Sequence, residues 1–496
     1  MVTGTPQYRH SMGLLNDAIT WFNGYYWNLV IVLLVVAGVY FSVRTLLVQI
    51  RMVPEMFRNI AEKPVDKVGD KKGISAFRAF TISAASRVGT GNVAGVAVAI
   101  SVGGPGAVFW MWMLALIGGA TAFVESTLAQ LYKRKGKDSY IGGPAYYIRD
   151  GLRLPWLATT FAVVITITYG FVFNAVQANS ISLSIQENLN TNDPWTGWVI
   201  GLTLAVLTGA VIFGGIRRLS AVTEIIVPIM AVAYIGVAVA VVILNYPLVP
   251  GMIALIVEHA LGIREVAGAT IGAAIMQGMR RGLFSNEAGM GSVPNAAATA
   301  SVSHPVKQGL VQTLGVYFDT LIVCSCTAFI ILLSNPTFGN EAEGISLTQN
   351  ALQEQVGDWA GPFLSVVIFF LAFSSILGNS YYGEANIQFL REHSKKLLLA
   401  FRLAVMLCVL GGALGSVALV WNMADAFMGV MATINLIAII PLGGLAFKLL
   451  KNYMDDKAMD LNPVFHRDEL PSAKNVATWD GTDAVTHREV AEAAHD

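Results

Sequence analysis

The chain has 496 residues, of which 55% are hydrophobic and only 13% charged, and its mean hydropathy is +0.59. That composition excludes an ordinary soluble domain and describes a polytopic membrane protein. Lys plus Arg and Asp plus Glu each number 32, so no global charge points to nucleic acid, and the informative quantity is where the basic residues fall.

Apolar segments long enough to approach a bilayer crossing of about 20 residues lie near 27–47, 74–102, 105–131, 156–180, 195–214, 219–244, 265–290, 309–334, 360–389, 398–420 and 422–449, eleven in all. Residues 1–26 lack the basic start and short apolar core of a cleavable signal, so they read as an extracytoplasmic N-terminus ahead of a retained span at 27–47. A basic linker, 48–73, follows it. Residues 74–244 form one run of five segments and 265–449 a second. Between them, 245–264 is an outer loop in which Met252 to Gly262 is expected as an interfacial helix. The tail, 450–496, is charged and poor in aromatics from Asn452 onward and is expected to be a mobile cytoplasmic extension.

Basic residues set the orientation. Arg44 to Lys72, Lys133 to Arg153, Arg217 and Arg218, Arg280 to Lys307, and Arg391 to Lys396 alternate with connections at 180–194, 335–358 and around 421 that hold no Lys or Arg. The positive-inside rule then puts the N-terminus outside and the tail in the cytoplasm, with eleven spans.

Two segments are interrupted. The second carries Arg87-Val88-Gly89-Thr90-Gly91-Asn92 and the seventh is broken somewhere between Met276 and Ser292. Each opens a run of five, the signature of an inverted five-plus-five repeat whose interrupted helices mark the site. Glycine costs about 1 kcal/mol in a helix interior relative to alanine, so 88–92 is expected to unwind, freeing N–H groups that suit a carboxylate and carbonyls that suit a cation. Taken alone, the hexapeptide also fits a glycine contact for close helix packing.

Of the intramembrane acids, Glu125, Glu224, Glu287, Glu384 and Asp425 are expected mainly in structural or gating ion pairs with Arg87, Arg280 or Arg281, whereas Asp319, central in its segment, could serve a cation or proton. Cys324, Cys326 and Cys408 read as small core residues. No His-Glu-x-x-His, Gly-x-Ser-x-Gly or phosphate-loop motif appears, which argues against an enzyme, and a channel would call for a more continuous polar lining.

Gly103-Gly-Pro-Gly-Ala-Val-Phe-Trp-Met-Trp112, Val88-Gly-Thr-Gly-Asn92, Phe173-Asn-Ala-Val-Gln-Ala-Asn179, Arg280-Arg-Gly-Leu-Phe-Ser-Asn-Glu-Ala-Gly289, His304-Pro-Val-Lys-Gln-Gly309 and Ser380-Tyr-Tyr-Gly-Glu384 together resemble the alanine or glycine:cation symporters of bacteria and archaea. The resemblance implies an all-α, leucine-transporter-like fold with one extra N-terminal span. It also implies sodium-driven uptake of small neutral amino acids across the bacterial inner membrane, with sodium as the coupling ion, no cofactor, and one chain sufficing.

Gly89, Thr90, Gly91 and Asn92 are the expected hosts of the substrate carboxylate. Gln177, Met276, Gln277, Gly278 and Phe173 are expected as ligands or walls. The sodium set carried over from the fold is the carbonyls of Ala85 and Val88 and the hydroxyls of Ser374 and Ser375. Asn379 departs from the family pattern, which commonly has tryptophan there. One turn beyond Ser375, it is expected to widen the pocket toward serine or glutamine. The rival readings are proton coupling through Asp319 and a gated cation channel.

Overall fold

A computed structural model describes residues 6–481 except 66, 69–70, 138, 192, 265–268, 335, 337, 339–343 and 393. Residues 1–5 of the expected N-terminal stretch, 265–268 at the opening of the second repeat and 482–496 of the tail lie outside the described residues. Among those described, nine helices are long and apolar enough to cross a membrane: Asn16–Arg44, Gly106–Leu131, Pro155–Asn188, Trp195–Ile212, Gly215–Leu244, Pro305–Leu333, Ala360–Leu390, Lys395–Leu414 and Val417–Ala458. Each coincides with an expected segment. The other two expected segments are the interrupted ones, and neither is a continuous helix of that length. The first is divided into Ala76–Arg87 and Gly91–Gly103, the second into Ile271–Asn286 and Pro294–Ala297.

Lipid tails are as apolar as leucine, so contact between these helices depends on close packing and on polar bridges rather than on solvent exclusion. Gly378 is one such contact. A Cβ there would lie 2.8 Å from the Ser86 amide, so only glycine lets the helix Ala360–Leu390 press against the end of the first interrupted segment. Three segments of π-helix, Gly91–Gly95, Thr168–Phe173 and Tyr317–Cys324, carry Asn92, Phe173 and Asp319. Such bulges commonly accompany functional sites. Two short antiparallel hairpins, Lys67–Val68 with Lys71–Lys72 and Arg134–Lys135 with Tyr140–Ile141, decorate the connections.

Three expectations change. The N-terminal helix begins at Pro6, well ahead of Trp27, and it packs along the last helix: Asn23 Nδ2 donates to the Asn422 carbonyl at 2.9 Å and Tyr26 Oη to Thr433 Oγ1 at 2.8 Å. The loop helix is Val249–Ala260, and it is anchored on the bundle by His259, whose Nδ1 accepts from the Gly106 amide at 3.0 Å.

The tail is docked through residue 481 rather than mobile. Phe465, Leu470 and Trp479 are buried. Phe465 N–H donates to the Ser303 carbonyl at 2.9 Å, Trp479 Nε1 to the Gln130 carbonyl at 3.0 Å, and Asn475 Nδ2 to the Asp150 carbonyl at 3.0 Å. Lys133 Nζ lies 4.3 Å above the Trp479 ring. These few aromatic anchors outweigh the polar average of the segment.

Candidate transport site

The first break starts where the helix Ala76–Arg87 stops. Val88 still donates to the Ala84 carbonyl, but at ψ 85° it leaves the helical path. The next amides are taken by side-chain carbonyl oxygens. Gly89 N–H donates to Asn92 Oδ1 at 3.0 Å, and Thr90 donates to Gln177 Oε1 through its N–H at 3.0 Å and its hydroxyl at 2.7 Å. Glycine at two positions gives this approach its room. A Cβ on Gly89 would sit 2.8 Å from Gln177 Oε1, and one on Gly91 would sit 2.7 Å from the Phe284 ring.

The second break is capped differently. Glu287 (φ 57°), Gly289 (φ 89°) and Gly291 (φ 80°) take left-handed conformations, and the freed amides of Gly289 and Gly291 each donate to the Glu125 carboxylate at 3.1 Å. Asn435 holds that carboxylate at 2.8 Å. The second break therefore already has its carboxyl group. At the first break only neutral amide oxygens satisfy the N–H groups, and a substrate carboxylate can replace them with a stronger, charge-assisted bond.

Asp319 ties the two breaks together. Asn92 Nδ2 donates to its Oδ1 at 2.7 Å, Ser285 Oγ donates to its Oδ2, and Thr320 adds a bond at 3.1 Å. Among the described residues no lysine or arginine makes an ion pair with it. Beside the first break, Ser375 Oγ donates to the Ala85 carbonyl at 2.8 Å and to Leu371 O at 3.1 Å. Hard oxygens of this kind suit a small monovalent cation.

Aromatic rings close the site on the side away from the tail. Tyr169, Phe173, Phe284 and Trp421 form a continuous stack with centroids 4.7, 4.7 and 5.0 Å apart. Beyond it lies a cleft of 360 Å³ lined by Ala94, Val98, Ser180, Leu183 and Trp421 among others. Arg281 lies over the Trp421 ring at 4.8 Å and donates to Asp425 at 2.6 Å.

Gly89, Thr90, Gly91, Asn92, Gln177, Phe173, Ala85, Val88 and Ser375 thus fall around one centre. Met276, Gln277 and Gly278 do not. They belong to an unbroken helix, and Gly103, Ala107 and Trp110 are the neighbours that crowd Gln277 and Gly278. Phe284 and Ser285, two turns further on, hold the place expected of them. Ser374 turns back to its own helix at Leu371 O, 2.8 Å, as membrane serines commonly do. Asn379 shares the face of Ser375 but meets Ser86, whose hydroxyl is 2.7 Å from Oδ1. The widening expected from Asn379 has no contact with Thr90 or Gln177 to rest on. Glu384 pairs with Arg402 and Glu224 with Arg78, partners that spacing alone did not single out.

A membrane-embedded helical bundle with two interrupted segments meeting at a polar centre defines a secondary transporter of leucine-transporter-like fold, not an enzyme. The chain belongs to the sodium:alanine symporter family, whose profile matches residues 12–467, and this makes it a multi-pass amino-acid symporter. It is 50% identical to the amino-acid carrier protein AlsT of Bacillus subtilis over 94% of this chain and 98% of that protein. It is 48% identical to the probable sodium/glutamine symporter GlnT of the same organism over 96% and 97%. It is 35% identical to the sodium/proton-dependent alanine carrier protein of Bacillus sp. strain PS3 over 82% and 94%. Among solved structures, MhsT in complex with L-phenylalanine superposes with a TM-score of 0.54 at 14% identity, over 79% of this chain and 94% of MhsT, a likeness of fold.

Proposed function

We propose that the protein couples inward sodium movement to uptake of a neutral amino acid across the bacterial inner membrane, by exposing one site alternately to each side. The observation that carries this reading is the unequal capping of the two breaks. Glu125 fills the second, so the Gly89–Thr90 amides and Gln177 are the place for a substrate carboxylate. Ser375 with the Ala85 and Val88 carbonyls takes the sodium ion within one turn of that place. Arg280 and Arg281, expected in a basic cytoplasmic connection, instead lie within the helix Ile271–Asn286 and meet Asp425; the other basic connections lie with the docked tail, and the positive-inside rule makes that face cytoplasmic. The aromatic stack and the Arg281–Asp425 pair then form the outer closure. The relatives, a probable sodium/glutamine symporter and an alanine carrier, support neutral substrates from alanine to glutamine.

Uptake into proteoliposomes, with sodium replaced by choline and a panel of neutral amino acids as competitors, tests this. Saturable uptake lost in choline is expected, and sodium-independent uptake would overturn it. A second reading has one specific support: Asp319 bridges both breaks and, among the described residues, no lysine or arginine lies within ion-pair distance of it. On that reading a proton or a second cation is carried there, and Asp319→Asn would abolish uptake driven by a pH gradient while a channel would show no saturation at all.

A further inference from the structure

Arg281 and Asp425 form a buried pair that leaves bonding capacity unused. Arg281 reaches Asp425 Oδ2 through Nη2 alone, at 2.6 Å, while Asp425 Oδ1 and Arg281 Nη1 and Nε have no hydrogen-bond partner among the described residues. A fork-to-fork pair would be stronger. A second guanidinium, Arg280, half-buried, lies 3.9 Å from the same carboxylate oxygen, so one buried and one half-buried cation face one anion. Such an arrangement holds only if something else takes up the second cation.

The N-terminal helix does this. Arg280 Nη2 donates to the Asn23 carbonyl at 2.8 Å, and its guanidinium lies 5.3 Å over the face of Trp27. Trp27, itself fully buried, turns its Nε1 to the Asp425 carbonyl at 3.2 Å, and Asn23 Nδ2 holds the Asn422 carbonyl. One helix outside the two five-segment repeats therefore touches both the arginine side and the acidic side of the closure. It offers a π face and a carbonyl to Arg280 exactly where Arg281 would otherwise repel it.

We propose that the N-terminal helix is a working part of the outer closure: Trp27 and Asn23 position Arg280, and Arg280 sets how readily the Arg281–Asp425 pair opens. This rests on the alternating-access reading above. Loss of the ring removes the partner of the second guanidinium. Arg280 then competes with Arg281 for Asp425, and the outward-open population rises.

The test uses a reporter beneath the closure. Gly95 is buried, and a Cβ there fits at 3.7 Å from Trp421 and 3.9 Å from Arg281. A thiol from Gly95→Cys is therefore shielded by those two side chains. Its rate of labelling by a membrane-impermeant maleimide, with the parent carrying its native cysteines as blank, reads opening directly. Trp27→Ala is expected to raise the rate about tenfold, as loss of a desolvated cation–π contact allows, with Trp27→Phe in between because it keeps a ring and loses only the N–H. Asp425→Asn should raise it as well. Unchanged labelling in Trp27→Phe and Trp27→Ala, with an increase in Asp425→Asn, would overturn the role of the N-terminal helix. Unchanged labelling in Asp425→Asn would instead sink the closure itself. Sodium-dependent uptake by the unmodified protein is scored separately, so failure of the transport reading is not confused with either result.

Discussion

Ser374 and Ser375 are neighbours in sequence with opposite assignments in space. Ser375 spans to the Ala85 carbonyl, whereas Ser374 bonds only within its own helix. Ser375→Ala should therefore raise the sodium concentration for half-maximal uptake by about tenfold, since a charge–dipole ligand contributes on the order of 1.5 kcal/mol. Ser374→Ala should leave it within about twofold, the scatter of an ordinary exposed or self-bonded hydroxyl. Sodium titration of uptake in the two variants checks both, and equal effects would move the ion elsewhere. Gly91→Leu belongs to the same scale. Its side chain would run into Phe284, so uptake should fall below detection while insertion, read by membrane yield, stays normal; near-normal uptake would show that the stack can move aside.

Among elements, the first break was legible because Gly-Thr-Gly-Asn leaves a helix little reason to continue. The second fell inside the expected Met276–Ser292 bracket, but at its far end, away from the residues expected to face the site. Met276-Gln277-Gly278 has a glycine and a polar residue in an apolar run, but Gly278 is there for packing. A Cβ would lie 2.5 Å from the Ala107 carbonyl, and the helix continues to Asn286. The chain departs instead at Glu287, a residue ordinarily at home in helices, because Glu125 from another helix captures the amides beyond it. That partner is distant in sequence and leaves no local mark.

The tail was misread for a related reason, since composition averages out three buried anchors. Its dock contains His304, where burial pushes the imidazole pKa down to about 3. Nδ1 accepts from the Val306 amide at 3.1 Å and Nε2 meets Asn452 Oδ1 at 3.0 Å, so only the neutral ring fits both. The folded pKa lies below the ordinary 6.5, so the stabilisation is complete above about pH 6.5 and is lost progressively as pH falls toward 3. Limited proteolysis of residues 459–481 should accelerate from about pH 7 to about pH 5, and less so in His304→Gln. A pH-independent cleavage rate in the unmodified protein would remove His304 from the dock.

At the scale of the whole molecule, the proposed sodium and amino-acid positions are not two sites joined by a long path. Ala85, Val88, Gly89 and Thr90 lie within six consecutive residues where the helix Ala76–Arg87 ends and the chain unwinds, and this stretch meets the helix Ala360–Leu390 through Ser375 and the helix Asn174–Asn188 through Gln177. A cation held by the Ala85 and Val88 carbonyls would fix the backbone whose next amides bind the carboxylate, and the carboxylate would fix the carbonyls in return. The ordering cost is then met once for both ligands, and binding must be positively coupled with equal strength in the two directions. Saturating sodium is expected to tighten amino-acid binding by about tenfold or more, and saturating amino acid to tighten sodium binding by the same factor, within the ordinary range of such couplings. Ser375→Ala should weaken both effects together, while Gln277→Ala, against the Gly103 end of the segment, should change neither. Calorimetric titration of each ligand with and without the other measures the two factors. Amino-acid binding that is equally tight without sodium would show that the ion does not organise this stretch, and would shift the coupling to Asp319, which joins the same break to Ser285 from the opposite side.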